Sequence, residues 1–234
     1  MMKPNNFFQK ELISFFKNKK ALIIKFLLPF IFLLPVLVAN ISMSIKVEIF
    51  IVMIIFLGIF SSAVGLIQLR ENKMLERLAI LPISTKKIII EYLFATICFD
   101  IFKLIIPFII LIGLNSENFS INYICWLIIC FISSIGVANS FGILVALISG
   151  SSGEGHLYAI ITVISLCVIS GIFPLILPKF LSFVQIILPF HYLSNSLLYP
   201  EAISIIEFYI IVPASLLIVL LIVVITSRNL FRFP

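Results

Sequence analysis

Residues Val47 to Leu69 read VEIFIVMIIFLGIFSSAVGLIQL, and Arg70 to Lys87 continue RENKMLERLAILPISTKK. The first stretch is apolar on every side, and its one ionisable group, Glu48, stands at the edge. A surface helix of a water-soluble domain would carry a polar stripe at a 3.6-residue period. A barrel strand would alternate apolar and polar residues. A uniform apolar run of about 20 residues instead matches a helix crossing the hydrocarbon core of a bilayer. The second stretch abruptly gathers Arg70, Lys73, Arg77, Lys86 and Lys87 with Glu71 and Glu76. The chain therefore leaves the apolar phase at Arg70 and re-enters it after Lys87.

The same alternation recurs along the 234 residues. Apolar runs extend over about Leu22–Ala39, Val47–Leu69, Ile88–Leu114, Tyr123–Ile148, Leu157–Leu177 and Ile203–Thr226. The chain is 62% hydrophobic and 11% charged, with a mean hydropathy of +1.30. Soluble domains have about 25% charged residues, so this composition cannot clothe a domain in water. Backbone groups in lipid must bond within their own segment, which selects helices for runs of this kind. The expected fold is all-α and polytopic, one domain over residues 1–234 with six transmembrane helices.

Two further segments are apolar without being spans. In Pro4 to Lys20, Phe8, Leu12, Phe15 and Phe16 fall at i, i+4, i+7 and i+8, with Lys10, Ser14, Lys17 and Asn18 opposite. That pattern predicts an amphipathic helix lying in the membrane interface. Pro178 to Pro200 is interrupted by Pro178, Lys179, Gln185, Pro189 and His191, which suits an external re-entrant hairpin better than a span. Met1 leads into a mixed segment without a small-residue cleavage site, so no removable signal peptide is expected. Lys and Arg crowd the N-terminal segment, the 70–87 loop and the C-terminus, whereas the intervening loops carry only Lys46 and Lys179. The positive-inside bias then places both termini on the cytoplasmic side of the cell membrane.

Chemistry-bearing motifs are absent. Gly150, Gly153 and Gly155 make a glycine-rich turn, but no Lys follows to reach a phosphate. His156 and His191 are far apart, no paired carboxylates sit at catalytic spacing within a span, and Cys98, Cys125, Cys130 and Cys167 show no CxxC spacing. No catalytic residue, metal site, cofactor or nucleic-acid contact is expected, and the cysteines read as small buried hydrophobes.

Arg70 to Lys87 is the informative loop. Met74, Leu75, Leu78 and Leu81 form an apolar stripe, Arg70, Lys73 and Arg77 a basic one, and Pro82 ends the helix. Such a helix can dock a soluble partner or rest on lipid headgroups, and the physics alone leaves both open. The order Glu71, Leu75, Glu76, Arg77, Leu78, Pro82, Ser84, Lys86 after the second span resembles the ABC type-2 exporter permeases. The stretch SGIFPLILPKFLSFVQIILPFHY (170–192) resembles the external half-helices of that family. The chain departs from the family pattern at Lys73-Met74, where Gly-Thr is frequent, and at Glu91-Tyr92, where Gly-Lys is frequent.

The resemblance implies a transmembrane permease domain that pairs with a second copy or a sister permease. Separate ABC ATPase subunits would bind ATP beneath it. The loop residues Arg70, Glu71, Lys73, Glu76, Arg77, Leu78 and Pro82 would form the ATPase-coupling helix, and ATP hydrolysis would export or flip an amphipathic substrate. That substrate would be a drug, an antimicrobial peptide or a lipid-linked molecule. Two other classes remain open on the residues alone: a membrane-embedded enzyme, and an immunity or scaffold protein that binds a peptide without moving it.

Within the spans, Ala138, Gly142, Ala146 and Gly150 repeat every fourth residue, as Gly58 and Ser62 do. Small-residue ladders let helix backbones approach closely in lipid, either inside the chain or across a dimer seam. Asp100 and Lys103 fall near the bilayer centre at i, i+3, where each charge alone costs roughly 2.5–3.5 kcal/mol. They read as a structural ion pair or as charges on a substrate path. Glu207 reads as interfacial, and His191 as a packing or hydrogen-bonding group.

Overall fold

Uniformly apolar segments without a backbone-breaking cluster form long helices, because a helix satisfies its own N–H and C=O groups where water cannot. The computed structural model of the chain describes residues 19–73, 84–114, 121–173, 184–199 and 205–229. Among these residues the helices are α1 (Lys19–Val38), α2 (Met43–Glu71), α3 (Thr85–Leu114), α4 (Ile121–Ile148), α5 (Ser152–Ile169), α6 (Pro189–Leu198) and α7 (Ile205–Asn229). Among the described residues, α2, α3, α4 and α5 are each long and apolar enough to cross a bilayer. Shorter apolar stretches occupy Pro29–Val38 in α1 and Ile211–Ser227 in α7. The interfacial helix expected at Pro4 to Lys20 lies almost wholly outside the described residues. So do the loop positions Glu76, Arg77, Leu78 and Pro82, the hairpin positions Pro178 and Lys179, and the side chain of Glu207.

Helix ends differ from the apolar runs where local capping decides. The fifth run is apolar to Leu177, but α5 begins at Ser152 and stops at Ile169. Its start is set by Ser151, whose side chain accepts from the Glu154 N–H at 3.3 Å, as the S-x-x-E spacing of a capping box allows. Its end is set by Gly171, at φ +74. The Gly171 N–H donates to the Val168 carbonyl at 3.1 Å and the Ile172 N–H to the Cys167 carbonyl at 3.2 Å. That is the paired bonding of a Schellman stop, which a glycine in the left-handed region permits. Pro29 and Pro35 lie inside α1, Pro107 inside α3 and Pro213 inside α7, as membrane helices tolerate.

The core lies between α2 and α4, which run against each other over most of their length. Gly58 faces Ala138, where a Cβ on the glycine would lie 2.6 Å from the Ala138 Cβ. A Cβ on Gly142 would lie 2.5 Å from the Ile59 carbonyl oxygen and 2.8 Å from the Ser62 Cβ. The small-residue ladder of α4 is thus occupied by α2 of the same chain at these two rungs. Helices α3, α5, α6 and α7 pack around this pair, and α1 rests on α3 and α2. Toward one end, Phe50, Phe108 and Phe131 from α2, α3 and α4 stack, with the closest ring centroids 4.3 Å apart.

The outward faces are apolar. Phe94, Phe102 and Ile109 on α3, Ile160, Ile161 and Ile164 on α5, and Leu217, Leu220 and Leu221 on α7 are all exposed. Ser62, Asp100, Lys103 and Asn139 are buried. Large contiguous apolar faces with polar groups inside suit hydrocarbon as the surrounding solvent.

Two glycines separate close packing from helix propensity. Gly142→Ala pushes a methyl into backbone that cannot yield, and overpacking of that kind costs about 1–3 kcal/mol. Gly113→Ala meets nothing within 4 Å and gains up to about 1 kcal/mol of helix propensity. Thermal unfolding of the two variants in detergent should therefore move in opposite directions.

Candidate functional site

Asp100 stands at the midpoint of α3, a helix of 30 residues, and Lys103 follows one turn later on the same face. Their ion pair closes at 2.6 Å between Lys103 Nζ and Asp100 Oδ1. Asp100 is fully buried and Lys103 is 6% exposed, so the pair faces protein and not lipid. The other carboxylate oxygen, Oδ2, accepts from the Ser61 hydroxyl of α2 at 2.7 Å and from Asn139 Nδ2 of α4 at 3.0 Å. Asn139 Oδ1 accepts from the Ser62 hydroxyl, and Asn139 Nδ2 also donates to the Ile135 carbonyl at 2.9 Å. Tyr92 of α3 closes the set by donating to the Ser62 carbonyl at 2.9 Å.

The charge pair and the small-residue ladder thus meet at one place. Ala138 and Gly142 bring α4 close enough to α2 for Asn139 to lie between the serines and Asp100. Sequence reasoning found the pair because charges stand out in an apolar run. It missed Ser61, Tyr92 and Asn139 and took Ser62 only as a packing rung, because their partners are set only when three helices pack. The single signal for Asn139 was an amide next to a ladder position in mid-span. Chemically the cluster is a lock: the carboxylate takes three donors from three helices. Among the described residues, no group of three His, Cys, Asp or Glu side chains converges as a metal would require.

A second polar group lies where α2 leaves the bundle. Arg70 donates to the Ser149 carbonyl at 2.5 Å and to the Ala146 carbonyl at 3.4 Å, at the C-terminus of α4. Glu71 accepts from the Ser152 N–H at 3.1 Å, at the N-terminus of α5. Glu154 accepts from the Gly150 N–H at 2.7 Å. The remaining ladder positions belong here: Ala146 lends its carbonyl to Arg70, and Gly150 lies in the turn. Lys73 follows in the left-handed region, at φ 55, with its N–H donating to the Arg70 carbonyl at 2.9 Å.

At the opposite end, α6 lies against α4 and α2. Trp126 Nε1 donates to the Ser196 hydroxyl at 3.0 Å, and the Tyr123 hydroxyl donates to the Ser196 carbonyl. His191 lies between Gln185, whose amide nitrogen is 3.0 Å from Nδ1, and Asn195, whose amide is 3.0 Å from Nε2. Burial holds the His191 pKa below its ordinary value of 6.5, because desolvation disfavours the imidazolium.

These features define a multi-pass membrane protein with charged groups locked inside its bundle and a basic loop emerging from α2. A family model described as ABC-2 type transporter matches residues 6–202, and the chain belongs to that family. It is a transmembrane permease component of an ABC transporter, whose family implies partnership with ABC ATPase subunits. No curated protein and no solved structure matches it.

Two stability experiments probe the geometry. Asp100→Asn leaves Lys103 buried without its counter-charge, a loss of about 3–5 kcal/mol. Adding Lys103→Gln removes the orphaned charge, so thermal unfolding of the double variant should recover much of that loss. For His191, the folded pKa is depressed, so its contribution to stability is complete above pH 6.5 and declines as pH falls through the lowered value. The wild-type protein should accordingly lose more thermal stability than His191→Gln between pH 7.5 and pH values near 5.

Proposed function

We propose that this permease is the membrane half of an exporter that couples ATP hydrolysis by separate ATPase subunits to expulsion or flipping of an amphipathic substrate. On this reading α1 and α7 complete six spans, both termini are cytoplasmic, and α6 with its flanking residues forms the external half-helix. The protein holds no cofactor of its own, ATP being bound by the partner subunits. It works as a pair, with a second copy or a sister permease. The 70–87 loop is the coupling helix seated on the ATPase.

The family match over residues 6–202 carries the proposal. The geometry supports it in two ways. Arg70, Glu71 and Lys73, at the root of the loop, emerge at the same end of the bundle as the α4–α5 turn, so one external motor could reach both. The loop is also the most charged stretch of the chain, as a helix that docks a soluble subunit and not a lipid tail would be.

The test is purification of the tagged full chain from its native membranes in mild detergent, followed by reconstitution into lipid vesicles. The expected result is a nucleotide-hydrolysing subunit in stoichiometric amount and ATP hydrolysis that depends on its presence. Isolation of a stable protein that binds no such subunit, with turnover of a lipid or peptide in its absence, would contradict the proposal.

A further inference from the structure

Arg70 and Glu71 are adjacent residues of opposite charge, and they meet two helix ends of opposite polarity. The C-terminus of α4 presents unpaired carbonyls and the negative end of its dipole, and Arg70 takes the Ser149 and Ala146 carbonyls there. The N-terminus of α5 presents unpaired N–H groups and the positive end, and Glu71 accepts the Ser152 N–H there. The match is specific in sign and in order, since reversing the two residues would set each charge against a like pole.

The turn they hold is itself stiff. Only residues 149–151 separate α4 from α5; the Glu154 carboxylate accepts from the Gly150 N–H of the turn, and the Ser151 hydroxyl accepts from the Glu154 N–H in the first turn of α5. Behind the turn, Ile67 Cδ1 fills the place a Cβ on Gly155 would take, so α5 begins directly on the side of α2. Immediately after Glu71, α2 ends: the Asn72 N–H donates to the Gln68 carbonyl at 3.0 Å and Lys73 turns into the left-handed region. The chain is thus gripped on one side by the α4–α5 turn and released on the other into the coupling segment.

We infer that Arg70 and Glu71 are positioning residues that join the coupling segment to the α4–α5 hairpin, and do not themselves contact the ATPase. Movement of the 70–87 segment pulls on the end of α2, and the two charge-assisted bonds carry that displacement to α4 and α5. From there it reaches Asn139 through the α4 ladder. The contacting surface for the ATPase then begins beyond Lys73. This inference rests on the permease reading above and assigns the parts of its coupling machinery.

Gly153 supplies a reporter, because it is exposed and a Cβ there meets nothing within 4 Å. The experiment uses the full chain with its co-purifying ATPase in lipid nanodiscs. Gly153→Cys carries an environment-sensitive fluorophore, Cys98 and Cys125 are replaced by Ala, and the buried Cys130 and Cys167 are left in place. The readout is the fluorescence change on adding Mg·ATP with vanadate, on samples that elute as a single species in size exclusion. Glu71→Ala removes the acceptor for the Ser152 N–H, and the change should fall by about tenfold, the effect of one charge-assisted hydrogen bond lost from the coupled state. Glu71→Gln keeps an oxygen acceptor without the charge and should restore part of the response, the hydrogen bond without its charge assistance. Arg70→Ala should resemble Glu71→Ala.

A direct charge contact with the ATPase would make Glu71→Gln as defective as Glu71→Ala, and that result overturns the inference. So does an undiminished response in Glu71→Ala. A complex that hydrolyses ATP while the label on otherwise wild-type protein stays silent overturns the joint alone. Failure to capture any ATPase with the wild-type chain overturns the permease reading and the joint with it.

Discussion

Helices α2 and α4 approach so closely that Gly58 and Gly142 have no room for a side chain. In water, such an approach would be one of many ways to bury apolar surface. In lipid there is no hydrophobic gain from bringing two greasy helices together, so association depends on close backbone packing and on polar groups satisfied between helices. Here the two requirements coincide. The rungs at Ala138 and Gly142 set the distance, and that distance places Asn139 within reach of Ser61, Ser62 and Asp100. Widening the gap would pull at least one donor from a buried carboxylate, in a medium where an unpaired charge is costly. The packing and the polar lock hold each other in place.

The same helix pair links the middle of the membrane to one of its surfaces. From Asn139, α4 runs along α2 to Ala146 and Ser149, about 15 Å at 1.5 Å per residue. There Arg70 and Glu71 tie the end of α2 to the end of α4 and the beginning of α5. A bundle joined at these two points has few ways to move one helix without moving its neighbours. On the proposed reading, in which separate ATPase subunits drive the permease, a stiff connection between them and the membrane interior is what the task requires. The apolar outer faces of α3, α5 and α7 leave the interior as the place where polar coupling can occur.

Much of this was legible in the residues, and the reasons are physical. The helices were readable because lipid demands uniform apolarity over a known length, so Val47–Leu69 could be assigned without any partner. Asp100 and Lys103 were readable because ionic groups are rare in such runs and their spacing pairs them on one face. The limits of α5 were hidden by the apolar residues that continue past it to Leu177, although Ser151, Glu154 and Gly171 carried the capping signals. The polar roles of Ser61, Ser62 and Asn139 were not readable, since a serine in a membrane helix can equally bond its own backbone. The inward grip of Arg70 and Glu71 was hidden for another reason. Charges at a helix end are ordinarily solvated without fixed partners, and only the position of the α4–α5 turn supplies theirs.

The account stands or falls on what the 70–87 loop touches in the assembled transporter. A photo-crosslinking amino acid placed at Arg77, in the full complex in native membrane vesicles, reports this most directly. The account predicts an adduct with a nucleotide-hydrolysing subunit, formed from the cytoplasmic side and protected from reagents added outside the cell. Labelling of the same position by a membrane-impermeant reagent from outside, or crosslinks to lipid alone, would contradict it.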